Sequence, residues 1–192
     1  IPGADEGTVD GIAFTNWANL TGSAGDDTFT FGASGSLSGL IDGGGDGTVT
    51  GDSVDYALVT APVTVTLDTD VTNVESLTGD GAGFTLANGS DWDITGADAG
   101  TVDGIAFTDW ANATGTSGAD TFTFTNVGSL TGAVDGDAGT DTLTGDDSGN
   151  VFDITGANSG TLTGKTSGWS NIENLTGGAA ADPFTGTGTL DG

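Results

Sequence analysis

The chain has 192 residues, 37 of them Gly, with 28 acidic residues against one Lys and a formal charge of −27 at pH 7. A surface this acidic repels phosphate backbones and anionic lipid, which excludes nucleic acid as a partner and membrane insertion as a role. With no Cys and no His it has no disulfide framework and no thiolate or imidazole metal site, and no apolar run approaches a membrane span.

Thr, Val, Ile and Phe dominate the non-glycine positions while Lys, Arg and Met are almost absent, so the predicted elements are short strands between Gly/Asp/Asn turns. The first is the phrase GADEGTVDGIAFTNWANLTG over Gly3–Gly22, preceded by Ile1-Pro2-Gly3-Ala4, which matches the tail of Asp-Ile-Thr-Gly-Ala at Asp93 and Asp153. The nonapeptide GSAGDDTFT follows from Gly22 and carries the alternating strand Thr28-Phe29-Thr30-Phe31. A glycine turn, Asp42 to Gly47, leads to a second alternating strand, Val63-Thr64-Val65-Thr66-Leu67, and to VTNVESLTG from Val71. The long phrase then returns over Gly96–Gly115, containing FTDWANATG from Phe107, and GTSGADTFT follows from Gly115 with the strand Thr121–Phe124. GDAGTDTLT begins at Gly136, a third and looser copy of the phrase runs from Gly156 to Gly177 with WSNIENLTG from Trp169, and GGAAADPFT begins at Gly177.

The related copies are residues 3–31, 96–124 and 156–185, and no linker or second domain separates them, so residues 1–192 are read as a single domain of degenerate repeats. The predicted fold is all-β, a parallel β-solenoid with coils of roughly 18–22 residues, about nine or ten in number. At about 4.8 Å per coil this makes a rod of roughly 45 Å. Phe29, Phe122, Val63, Val65 and Leu67 are expected to point inward and their threonine neighbours outward. Trp17 and Trp110 hold equivalent places in the repeat and are expected in the core or at its rim.

The four nonapeptides fit Gly-Gly-x-Gly-x-Asp-x-U-x, in which U is a large apolar residue. Their glycines permit a turn that bares carbonyl oxygens, the Asp adds a carboxylate, and U plugs the core. Asp26, Asp120, Asp141 and Asp182 are the candidate ligands, with Asp27 and Asp46 next, and Ca²⁺ is the hard cation such oxygens suit. The competing reading is a tight turn capped by Asp; lost second glycines and Pro183 depart from the calcium-binding pattern. Asn19, Asn88, Asn112 and Asn174 each begin an Asn-x-Ser/Thr sequon. Glycosylation and an asparagine ladder along a turn are both open to them.

These nonapeptides, NIENLTGG from Asn171 and DYALVTAPVTVTLDTDVTNVESLTG from Asp55 resemble the repeat regions of large bacterial secreted surface proteins, the RTX-like and filamentous-haemagglutinin-like β-solenoid adhesins. The resemblance implies secretion to the cell surface and a role in adhesion, biofilm matrix or surface layers. The functional expectation is a structural segment of an extracellular fibre that self-associates head to tail. A calcium-binding adhesin stalk is the alternative. A further alternative is an ice- or carbohydrate-binding solenoid built on the pairs Thr28/Thr30, Thr48/Thr50, Thr64/Thr66, Thr121/Thr123, Thr142/Thr144 and Thr161/Thr163. Enzymatic activity is not expected, because Lys165 and Tyr56 are the only side chains offering a base of the kind a lyase uses.

Overall fold

The computed structural model describes residues 1–9, 12–45 and 51–192, and every regular element among them is a β-strand. In chain order these are β1 (Glu6–Val9), β2 (Ile12–Thr15), β3 (Leu20–Thr21), β4 (Thr28–Thr30), β5 (Ile41–Asp42), β6 (Ser53–Asp55), β7 (Thr64–Thr66), β8 (Val71–Thr72), β9 (Ser76–Ala87) and β10 (Asp91–Gly96). They continue as β11 (Ala99–Val102), β12 (Ile105–Thr114), β13 (Thr121–Phe124), β14 (Ala133–Asp135), β15 (Thr142–Thr144), β16 (Phe152–Gly156), β17 (Ser159–Leu162), β18 (Thr166–Ser170), β19 (Asn174–Thr176) and β20 (Phe184–Gly186). Fifteen of them form one curled mixed sheet, β3, β5 and β8 form a second, and β1 with β2 forms a hairpin.

The Thr-x-Thr phrases pair in parallel and in register. Trp92 of β10, Phe122 of β13, Leu143 of β15 and Leu175 of β19 stand one above the next. A second column runs Phe29, Val54, Leu77 and Phe107 through β4, β6, β9 and β12. A third runs Val65, Leu86, Ala113, Val134 and Trp169 through β7, β9, β12, β14 and β18. Strand alternation places these side chains on one face, and all of the third column is buried. Each such Phe, Leu or Val contributes about 1.5–3 kcal/mol when fully covered, and ring packing adds order, as where Trp92 stacks on Phe122 at 5.7 Å. Val65, Leu67 and Phe122 are buried as their alternation predicts, and Phe29 and Val63 pack partly buried against the same core.

The long phrase itself pairs differently. In the second copy β10, β11 and β12 form an antiparallel meander, and in the third β16, β17 and β18 do the same. In the second copy the reversal from β11 to β12 falls on Asp103 and Gly104, whose φ values of 50° and 87° match the two-residue turn that suits strand twist. These hairpins correct the expected uniform coil. Where only a bare turn intervenes, partners lie 21 residues apart, as for Asn112 with Ala133 and Asp120 with Asp141. Where a meander intervenes, the separation grows to 32 for Asp141 with Glu173 and 36 for Asp135 with Asn171. The hairpins consume the length that nine or ten short coils would need, and the longest parallel column among the described residues is the five-strand one ending on Trp169.

Trp110 is 1% exposed and Trp17 57%. Trp110 is packed against Phe84 and Tyr56 of the preceding turn, whereas Trp17 lies against its own Phe14 with no such turn above it among the described residues. The threonine pairs divide among several ladders: Thr28/Thr30 lies on β4, Thr64/Thr66 on β7, and Thr161 on the β17 hairpin. Among the described residues only Thr121/Thr123 and Thr142/Thr144 stack directly, flanked by Asp91/Asp93 and Asn174/Thr176. Thr48 and Thr50 lie outside the described residues.

Candidate functional site

The residue entering three of the four strands in each of two parallel columns is acidic: Asp27, Asp52 and Glu75 before β4, β6 and β9, and Asp120, Asp141 and Glu173 before β13, β15 and β19. In-register pairing therefore stacks carboxylates on adjacent rungs, about 4.8 Å apart. Like charges at that separation need donors between them, and the backbone supplies them. Asp120 N–H donates to Asp141 Oδ1 at 2.8 Å, and Asp141 N–H donates to Glu173 Oε2 at 2.9 Å. The earlier column repeats this: Asp27 N–H donates to Asp52 Oδ1 at 2.7 Å and Asp52 N–H to Glu75 Oε2 at 2.6 Å. A shorter version joins Asn150 N–H to Asp182 Oδ1 at 2.7 Å. Each rung is thus tied to the next by a charge-assisted bond, about twice as strong as a neutral one.

The first carboxylate of each column also closes its own turn. Asp120 accepts from Thr116 N–H and Thr116 Oγ1, both at 2.8 Å, and Asp27 Oδ2 accepts from Ser23 N–H and Oγ. The middle carboxylate does not. Asp52 and Asp141 are buried, and one oxygen of each, Oδ2, has no hydrogen-bond donor. Burial, with Asp120, Glu173 and Asp137 nearby, raises the Asp141 carboxyl above its ordinary range despite the Asp120 amide. Glycine is required at Gly43 and Gly136 because a Cβ there would collide with Asp52 or Asp141 Oδ2 and with the carbonyl of Asn73 or Asn171. Those two asparagines have φ of 51° and 52° and are held by Nδ2 donation to Asp42 and Asp135, each at 2.8 Å.

Of the candidate metal ligands, Asp27, Asp120, Asp141 and Asp182 therefore occupy equivalent places in these rungs. Asp26 is exposed, and Asp27, directly before β4 as Asp120 is before β13, is the counterpart of Asp120. Asp46 lies outside the described residues. Among the described residues no three acidic side chains converge as a metal cage would require. Asp52, Glu75 and Glu173 escaped the sequence reading, since none sits in a recognisable nonapeptide; the signal was their place directly before a Ser-Val-Asp, Ser-Leu-Thr or Asn-Leu-Thr strand.

The sequon asparagines each bond the backbone of a neighbouring turn or strand, and Asn112 and Asn174 pair with Thr85 and Thr142, not with another asparagine. Asn112 Oδ1 accepts from Ala133 N–H at 2.9 Å while its Nδ2 donates to Phe84 O at 3.0 Å. Asn88 Nδ2 donates to Leu67 O and Asn174 Nδ2 to Asp141 O. Asn19 Oδ1 accepts from Leu40 N–H, but no carbonyl among the described residues accepts from its Nδ2.

The two side chains that composition offered as bases are both committed to packing. Lys165 Nζ pairs with Asp146 Oδ2 at 2.5 Å and donates to Asn126 O at 2.9 Å. Tyr56 stacks on Phe31 at 4.5 Å, and burial pushes its hydroxyl well above its ordinary range. An open groove of about 730 Å³ is lined by Ile1, Phe14, Leu20 and Phe29 together with Glu6 and Asp27. No helix among the described residues is long and apolar enough to cross a membrane. No protein-family model, curated protein or solved structure matches the chain significantly.

Proposed function

We propose that this chain is a structural segment of a bacterial extracellular filament or surface layer, with its parallel columns acting as the coils of a β-solenoid interrupted by antiparallel hairpins. The observation that carries this reading is the carboxylate–amide ladder. It uses the chain's most repeated acidic residues to tie one rung to the next, as a load-carrying stack needs, and not to furnish a cleft. The resemblance of NIENLTGG and the four nonapeptides to secreted adhesin repeats supports the extracellular setting, as does an acidic, Cys-free composition. Solenoids of this kind bury their core by stacking neighbours, so each copy of the repeat adds length without adding a new type of contact.

A calcium-stapled adhesin stalk is the second reading, favoured by the donorless Oδ2 atoms of Asp52 and Asp141. Small-angle scattering on the purified chain, with added Ca²⁺ and with chelator, tests the main reading. An elongated particle whose cross-section stays constant in both solutions is the expected result. A compact, isotropic particle in both would refute it, and elongation only in Ca²⁺ would shift the assignment to the stalk.

A further inference from the structure

We propose that the open groove lined by Phe14 and Leu20, with Trp17 exposed against Phe14 beside it, is the socket for the β19–β20 edge of a second copy of this chain, so that copies join head to tail by repeating a joint the chain already contains. This rests on the solenoid reading above and names the surfaces that would extend it.

The internal joint is β9 against β12. There Leu77 pairs with Phe107 and Leu86 with Ala113, in parallel. Phe107, Trp110 and Ala113 are each 1% exposed as a result. Trp110 packs edge-on to Phe84 at 5.6 Å and donates its indole N–H to Leu77 O at 3.3 Å. Asn112 Nδ2 reaches Phe84 O, completing the seam.

Both halves of this joint recur at opposite ends of the stack without a mate. Phe14, Trp17, Asn19 and Leu20 are spaced as Phe107, Trp110, Asn112 and Ala113, within the same repeated phrase. Among the described residues β2 pairs only with β1, and β3 only with β5, so the edges that in β12 receive β9 are vacant. Trp17 is correspondingly 57% exposed, and among the described residues Asn19 Nδ2 lacks the carbonyl that its counterparts Asn112 and Asn174 reach. At the other end, Leu175 and Phe184 are spaced as Leu77 and Leu86. There, among the described residues, β19 pairs only with β15 and β20 only with β16, which leaves unpaired among them the edges that in β9 meet β12. Phe184 is 49% exposed.

Placing Leu175 on Phe14 and Phe184 on Leu20 of the next copy reproduces the internal register. It gives the Trp17 indole N–H the Leu175 carbonyl, as Trp110 has that of Leu77, and covers the two large exposed aromatic side chains at once. One end differs in kind from the other, so the contact is heterologous and open-ended. Glu6 and Asp27 line the groove, and Glu173 and Asp182 precede β19 and β20, so association is opposed by charge and strengthened by salt, which shortens the screening length to about 8 Å at 0.15 M.

The test is sedimentation velocity at low and physiological salt on the wild type, on Trp17→Asp, on Phe184→Asp, and on the two variants mixed. Both substitutions fall on exposed side chains, and circular dichroism verifies that each variant folds. The expected result is open-ended association of the wild type, favoured by salt. Each variant alone requires roughly thirtyfold or more higher concentration, as loss of a central aromatic anchor does. The mixture forms dimers and stops there, because one intact socket meets one intact edge. Trp17 is the exposed tryptophan, while Trp92, Trp110 and Trp169 are buried, so acrylamide quenching of the wild type should fall as association proceeds. A wild type that stays monomeric at millimolar concentration and physiological salt, a single variant that assembles like wild type, or a mixture that remains monomeric each overturns the proposal. Small-angle scattering of Phe184→Asp separates the two levels: a rod-shaped monomer leaves the solenoid reading standing where the joint fails, and a compact one removes both.

Discussion

Asp141 carries the clearest electrostatic cost in the molecule. Its Oδ1 is bonded to the Asp120 amide, its Oδ2 faces no donor, and carboxylates lie on the rungs to either side. A carboxyl whose folded pKa is raised binds more protons folded than unfolded, so its contribution is most favourable in acid and is lost as pH rises through the folded value. Asp141→Asn keeps the Oδ1 acceptor and removes the charge. It should therefore stabilise the protein at pH 7 by about 1 kcal/mol, the low end of what a buried polar atom without a partner costs. The gain should shrink as pH falls through the raised folded value of the wild-type carboxyl, and thermal unfolding at several pH values reads both effects. The nonapeptide identified Asp120, Asp141 and Asp182 as a set, and the structure brings them to equivalent places. It could not show that Asp141 and Asp182 accept from amides of neighbouring rungs, because those donors lie 21 and 32 residues away in the chain.

At the scale of elements, the hairpins decide how the columns are spaced, and one ion pair pins a hairpin to two turns. Lys165, where the β17–β18 turn closes, reaches Asn126 O beyond β13 and Asp146 beyond β15. The ammonium, with the Ser148 hydroxyl, holds the Asp146 carboxyl far below the usual carboxylate range. Its stabilisation is therefore present above about pH 4 and is lost only in strong acid. Lys165→Met leaves a buried carboxylate without its cation and should cost about 3 kcal/mol, while Lys165→Met with Asp146→Asn should recover part of the loss. Urea unfolding of the two variants checks this, and equal losses in both would contradict the pairing. Sequence alternation located Thr121–Phe124 and Val63–Leu67 correctly as strands with an inward apolar face. The meanders were less legible, since GADAGTVDGIAF read as part of one uniform coil. The available signal was Asp103-Gly104 between two strand-like runs, a two-residue hairpin turn, outweighed by the expectation that a repeat fills one rung.

At the scale of the whole molecule, the excess of acidic over basic residues and the regular stack make opposite demands. Net repulsion favours expansion, while the repeated columns of buried Phe, Leu, Val and Trp, with their carboxylate–amide ties, favour order along one axis. That the fold is all-β could be read from composition and alternation. The mixture of parallel columns with antiparallel hairpins could not, because strand direction depends on where the chain returns, which local pattern does not encode. The divergence between Trp17 and Trp110, which share a repeated phrase differing only at Asn16/Asp109 and Leu20/Ala113 from Phe14/Phe107 to Gly22/Gly115, makes the same point: what covers each is decided by the neighbouring rung. The claim that the rungs form a self-continuing rod is tested most directly by negative-stain electron microscopy of the purified chain at physiological salt, with Ca²⁺ and again with chelator. Thin rods or fibres of constant width in both conditions are the expected result. Globular particles in both would contradict the account.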